Sequence, residues 1–144
     1  MTQKRLFLFA GYDKDGIIDD ALVHYARAVS EFGDIVLCMD SDCPTSEMGK
    51  LKKYTLHTIA TRHGEYDFGS YKRGYMWLSE HGILDKCDEL LLCNDSCYGP
   101  LRPFKEVFNT MSKKDCDFWG LLSNTENQYR LQSYFLKPSN KDVD

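Results

Sequence analysis

Near the middle of the chain a short apolar run stops on three small polar residues, Asn94-Asp95-Ser96. A carboxylate between an amide and a hydroxyl offers hard oxygen donors, the type that holds Mg2+ or Mn2+ when substrate phosphates fill the other positions. Taken alone, the tripeptide is more simply read as a cap on a turn. Further polar residues stand in comparable places: Asp13 after Gly11-Tyr12, Asp40 and Asp42 after a second apolar run, and Arg62, His63 and Asp67 after a third. Asp67-Phe68-Gly69 spells the metal-binding triplet of protein kinases, but no glycine-rich loop or His-Arg-Asp element accompanies it, so the match is set aside as chance. His57, inside a strand-like run, reads as a satisfied or exposed strand histidine rather than a ligand.

These residues gain meaning from the elements that position them. Arg5–Ala10, Ile35–Met39 and Glu89–Cys93 are continuously apolar rather than alternating, as expected of parallel strands covered on both faces. A helical stripe, Ile18, Leu22, Tyr25, Ala26, Val29 and Phe32, predicts a helix over 17–32 that Gly33 closes. Thr55–Ala60 reads as a weaker strand, and 43–54 as a loop with a short exposed helix. Asp67 is expected to cap a helix running to about Glu80, with Phe68, Tyr71, Tyr75 and Leu78 facing inward. Gly99-Pro100 turns the chain, and a further helix follows over 103–111 with Phe104, Val107, Phe108 and Met111 on one face. Strands are expected at 117–122 and 131–136, a polar loop between them, and a charged, disordered tail over 139–144 after a single domain of 1–138.

Strands alternating with helices predict an α/β three-layer sandwich with a mostly parallel sheet, in which the loops after the first four strands converge on one edge. In such sheets the ligand occupies the crevice outside the carboxyl ends of the strands. The loop over 11–16 has neither dinucleotide-binding nor Walker A spacing, which disfavours a dehydrogenase or a P-loop kinase. With a net charge of -4 and a pI near 5.5, the chain lacks the basic balance of a nucleic-acid binder, so no nucleic-acid partner is expected. No apolar run is long enough to span a bilayer and no signal peptide is visible, which predicts a cytoplasmic protein with at most peripheral membrane association. The six cysteines, at 38, 43, 87, 93, 97 and 116, follow no zinc spacing and are expected to be free, reduced thiols, with Cys38, Cys93 and Cys116 in or beside apolar strands.

Four segments in order, Tyr66-Asp-Phe-Gly-Ser-Tyr-Lys-Arg-Gly74, Leu92-Cys-Asn-Asp-Ser-Cys-Tyr-Gly-Pro-Leu101, Asp117-Phe-Trp-Gly120 and Leu131-Gln-Ser-Tyr-Phe135, resemble the rhamnan synthesis protein F family. That resemblance implies a bacterial glycosyltransferase of capsule or lipopolysaccharide O-antigen assembly, acting at the inner face of the cytoplasmic membrane. The donor would be a nucleotide sugar such as dTDP-rhamnose, and the acceptor a glycan or lipid-linked glycan. It also implies a GT-A-like nucleotide-sugar-binding half, with Asn94-Asp95-Ser96 in the place of the metal motif and Asp95 holding a divalent cation, Mg or Mn. This chain has one carboxylate there where the wider fold commonly has two. By the same likeness Gly11, Tyr12 and Asp40 face the nucleotide, and Asp67, Gly69, Ser70 and Lys72 lie beside the diphosphate or the sugar. Lys72 or Arg62 would neutralise phosphate, with Asn94 and Ser96 also touching substrate. Such enzymes place acceptor contacts and the catalytic base after the sixth strand, so with Asp144 as the last residue the chain is expected to be cut short, and no base is assigned. The alternative is a non-catalytic binding or assembly module that keeps the donor-binding fold.

Overall fold

The computed structural model describes residues 3–132 and 134–138. In chain order the elements are strand β1 (Arg5–Gly11), helix α1 (Asp20–Ser30), β2 (Asp34–Met39), the single turn α2 (Thr45–Met48), β3 (His57–Ala60), α3 (Tyr66–Glu80), β4 (Glu89–Asn94), α4 (Phe104–Met111), β5 (Trp119–Gly120), β6 (Ser123–Asn124), β7 (Arg130–Leu131) and β8 (Phe135–Lys137). A six-stranded mixed sheet runs β3-β2-β1-β4-β8-β5, and β6 and β7 form a separate two-stranded ribbon. The β3-β2-β1-β4 part is parallel, whereas β8 runs antiparallel to both β4 and β5.

β1 lies between β2 and β4, with Phe7 paired to Ile35 and Leu91, and Phe9 to Leu37 and Cys93. Successive strand residues point to opposite faces, so an unbroken apolar run supplies two cores. Phe7, Phe9, Leu37 and Leu91 pack with Leu22, Tyr25 and Val29 of α1 and with Phe104 and Phe108 of α4. Leu6, Leu8, Val36 and Leu90 pack instead with Tyr71 and Leu78 of α3. Each such fully buried side chain contributes roughly 1.5–3 kcal/mol relative to exposure, which makes β1 the most strongly fixed strand. The chain leaves β1 toward β2 and β3 and then returns to β4 on the opposite side, so the strand order reverses between β1 and β4.

Several boundaries differ from the sequence-based expectations. Helix α1 starts at Asp20, and Asp19 caps it by accepting the Leu22 N–H at 2.9 Å. Ile18 lies before the helix yet is buried. Gly33 does not end α1 in a left-handed conformation; its backbone passes so close to the Arg5 carbonyl that a Cβ would overlap it. The segment over 43–54 is a helical turn with Met48 and Leu51 buried in the core, more than an exposed loop. Helix α3 has no side-chain cap: Glu65 stands at the cap position and Asp67 lies inside the first turn. Phe68 is exposed, while Tyr71 and Leu78 are buried. The strand expected over 117–122 shrinks to Trp119–Gly120, and the expected polar loop after it contains the β6–β7 ribbon. Cys38 and Cys93 are buried, but Cys116 is exposed. The tail expected over 139–144 lies outside the described residues.

Candidate functional site

The carboxyl ends of β1, β2, β3 and β4 meet at one edge, where side chains of one loop bind the backbone of the next. The Asp95 carboxylate, just past β4, accepts the Tyr12 N–H at 2.9 Å. The Asp13 N–H donates to the Ser41 hydroxyl at 2.9 Å, and that hydroxyl donates back to the Asp13 carbonyl at 2.6 Å. Asp40 accepts the N–H groups of His63 and Gly64 through one oxygen, at 2.8 and 3.0 Å. The reversal of strand order places the β1 and β4 ends, Gly11-Tyr12 and Asp95-Ser96, on the two banks of the crevice, as expected for a ligand-binding edge.

A cleft of about 520 Å3 opens there, lined by Gly11, Tyr12, Asp40, Gly64, Tyr66, Asp67, Ser70, Asp95 and Ser96. Its size falls in the range of small-molecule sites. A smaller hollow of about 240 Å3, toward α1, shares Tyr12, Asp95 and Ser96 with it, so these three residues stand where the two hollows join. Gly11 is required at this point by close approach: a Cβ would overlap the Met39 sulfur and lie 3.5 Å from the Asp95 carboxylate.

Of the residues that the family resemblance assigned to substrate or metal, Gly11, Tyr12, Asp40, Asp67, Ser70, Asp95 and Ser96 line this cleft, and four others do not. Asn94 is buried, with its amide nitrogen donating to Asp67 at 2.7 Å and its carbonyl accepting the Ser96 N–H at 3.1 Å, so it orients its neighbours. Gly69 is buried in α3, where a Cβ would overlap the Glu65 Cβ and crowd the His63 ring. Arg62 reaches the Lys14 carbonyl at 3.3 Å and Asp42 at 3.6 Å. Lys72 lines a separate apolar hollow with Phe68, Tyr75 and Leu92. Neither cation expected to meet phosphate is therefore among the cleft-lining residues, while three carboxylates are.

The carboxylates differ in character. Burial pushes the Asp95 carboxyl up to about 6, with the Asp67 and Asp19 charges adding to the effect and the Tyr12 N–H opposing it. Burial also acts upward on Asp40, but the N–H groups of Gly64 and His63 outweigh it and hold that carboxyl below its ordinary value. Asp40 is thus a fixed anion, and Asp95 can release or take a proton near neutrality. A divalent ion fits the donor set in one respect: Mg2+ commonly uses one or two carboxylates together with substrate phosphates. Among the described residues no group of three or more His, Cys, Asp or Glu side chains converges to hold a metal without a substrate.

Sequence reasoning left the role of His63 unassigned. Its ring is buried, with Nε2 2.8 Å from the Ser70 hydroxyl and Nδ1 3.8 Å from Asp40. This looks like a nucleophilic Ser-His-Asp arrangement, but the hydrogen bonding excludes it. The Glu65 backbone N–H donates to Nδ1 at 3.0 Å, so the ring proton sits on Nε2 and is given to Ser70. An imidazole in that tautomer cannot take the serine proton. The three residues instead lock the β3–α3 loop against β2. Elsewhere His57 stacks flat on Trp77 at 4.2 Å, as a strand histidine with an aromatic partner.

Residues 35–142 match the family model of rhamnan synthesis protein F. The chain belongs to that family. At 24% identity over 92% of its length it is also similar to an uncharacterized protein, y4gN, of Sinorhizobium fredii, covering 35% of that protein. It is 25% identical, again over 92% of its length, to virulence protein VirA of Vibrio anguillarum, covering 42% of it. The chain thus spans roughly two fifths or less of the curated relatives it matches. No solved structure matches it. The family ties the chain to polysaccharide biosynthesis.

Proposed function

We propose that the chain is the donor-binding portion of a glycosyltransferase of bacterial cell-surface polysaccharide assembly, with a GT-A-like three-layer fold. It binds a nucleotide sugar, dTDP-rhamnose being the donor that a rhamnan-synthesis family favours, for transfer to a growing or lipid-linked glycan at the cytoplasmic membrane face. The described residues include no helix long and apolar enough to cross a membrane, which is compatible with a peripheral position. One observation carries the reading: the cleft at the β1–β4 reversal presents three carboxylates and no Lys or Arg among its lining residues. A diphosphate held there needs a cation between it and the protein. Asp95, where the two hollows join, is the residue to hold Mg2+ or Mn2+, with Ser96 and the Asp67 carboxylate beside it. Bound there, the ion would stabilise the negative charge of the departing nucleoside diphosphate. The protein's own part is to fix that carboxylate through the Tyr12 N–H, to keep Asp40 ionised, and to hold Asp67 on the Asn94 amide.

A binding role without transfer is favoured by a different observation. Every carboxylate lining the two hollows, Asp13, Asp19, Asp40, Asp67 and Asp95, already accepts a protein hydrogen bond. Each is thereby held in place by the protein, as suits a site that fixes a ligand. Calorimetric titration with nucleoside diphosphates and nucleotide sugars, with and without Mn2+, tests the site. Binding that requires Mn2+ is expected, and metal-independent binding or none overturns the reading. Sugar release from a bound donor separates transfer from binding alone.

A further inference from the structure

Tyr66, the first residue of α3, has φ 58°, and it is the only non-glycine with positive φ among the described residues. A bulky side chain is rarely held there, and such outliers concentrate at ligand sites. Nothing in its packing explains the conformation, since Tyr66 is 86% exposed. The restraint comes from the residues before it. Asp40 grips the His63 and Gly64 backbone, Ser70 holds the His63 ring, and Arg73 pairs with Glu65 at 3.0 Å. This framework spends backbone strain on an aromatic ring that buries almost nothing and stands at the rim of the larger cleft.

We propose that Tyr66 is a stacking platform for the base of a nucleotide whose ring enters the larger hollow, which Asp40 also lines. The inference rests on the nucleotide-sugar reading above and adds which hollow takes which half of the donor. Aromatic side chains stack on any base face. The hollows divide the ligand by size. The diphosphate belongs at Asp95 and Ser96, where they join; the nucleoside, the bulkier half, takes the hollow of about 520 Å3, and the sugar faces the one of about 240 Å3.

The test compares wild type with Tyr66→Gly and Tyr66→Phe by calorimetry and thermal melting. The probes are the uridine, thymidine, guanosine and adenosine diphosphates with Mn2+, alongside glucose 1-phosphate and rhamnose 1-phosphate with Mn2+. Glycine adopts positive φ without strain, so Tyr66→Gly is expected to melt at the wild-type temperature or above it. The same variant should lose roughly tenfold to hundredfold in affinity for the nucleoside diphosphate that wild type prefers, and Tyr66→Phe should keep it. Three results would overturn the inference: unchanged nucleotide affinity in Tyr66→Gly, affinity lost together with melting temperature, or an effect on sugar phosphates without one on nucleoside diphosphates. Failure of the wild-type protein to bind any nucleotide would remove the nucleotide-sugar reading itself, a result distinct from those three.

Discussion

Replacing Asp95 by Asn separates its charge from its shape. The carboxyl accepts the Tyr12 N–H at 2.9 Å, and an amide oxygen can do the same. What Asn removes is a charge that burial and the neighbouring Asp67 and Asp19 oppose, raising the carboxyl from 3.8 to about 6. The unfolded chain is ionised above about pH 4 whereas the folded chain keeps its proton to about 6, so stability falls as pH rises through that window. The difference of about two pH units corresponds to about 3 kcal/mol at 1.36 per unit. Solvent at the cleft mouth leaves on the order of 1–2 kcal/mol of it. Asp95→Asn should therefore melt higher than wild type at pH 7.5, by roughly 3–6 °C, and the advantage should disappear below about pH 4. Its affinity for nucleoside diphosphate with Mn2+ should fall roughly tenfold to hundredfold, as expected for loss of a charged contact. A variant less stable than wild type at pH 7.5, or a melting difference that ignores pH, would refute the argument that this carboxylate is held ionised at a cost to the fold.

The same titration makes Mn2+ binding by wild type weaken below pH 6, by about tenfold per unit, because the proton and the ion compete for Asp95; a flat profile in metal titrations between pH 5 and 7 contradicts this. Ser70→Ala leaves the buried Nε2–H of His63 without its partner and should lower stability by about 1–3 kcal/mol in urea denaturation. Phe108→Ala removes the ring that meets Phe7, Phe32, Trp119 and Phe135 and should cost about 3–5 kcal/mol by the same assay. Gly74→Ala puts a methyl 2.8 Å from Leu8 and 3.4 Å from Val36, and the overlap should outweigh the helix-propensity gain of about 1 kcal/mol, lowering the melting temperature.

What was legible in the sequence was whatever one segment settles by itself. The uninterrupted apolar runs of β1, β2 and β4 announce strands buried on both faces, because a strand exposing one face would alternate. The polar residues after those runs had to lie at one edge once the crossovers were read as parallel, and Asp40, Asp67 and Asp95 do line one cleft. Asp67 shows the limit: an acidic residue near a helix start reads as a cap, and only the fold places it across from Asn94, 27 residues away. Lys72 and Arg62 read as phosphate partners from their charge, yet side-chain direction on α3 and the Lys14 carbonyl take them elsewhere. The mixed end of the sheet was hidden as well, since β5 and β8 have only two and three residues, too few to show a period. Their pairing is decided by the edge that β4 leaves open. The tautomer of His63, the raised Asp95 carboxyl and the strained Tyr66 backbone all arise from groups far apart in the chain that packing brings within a few ångströms, so no local pattern encodes them.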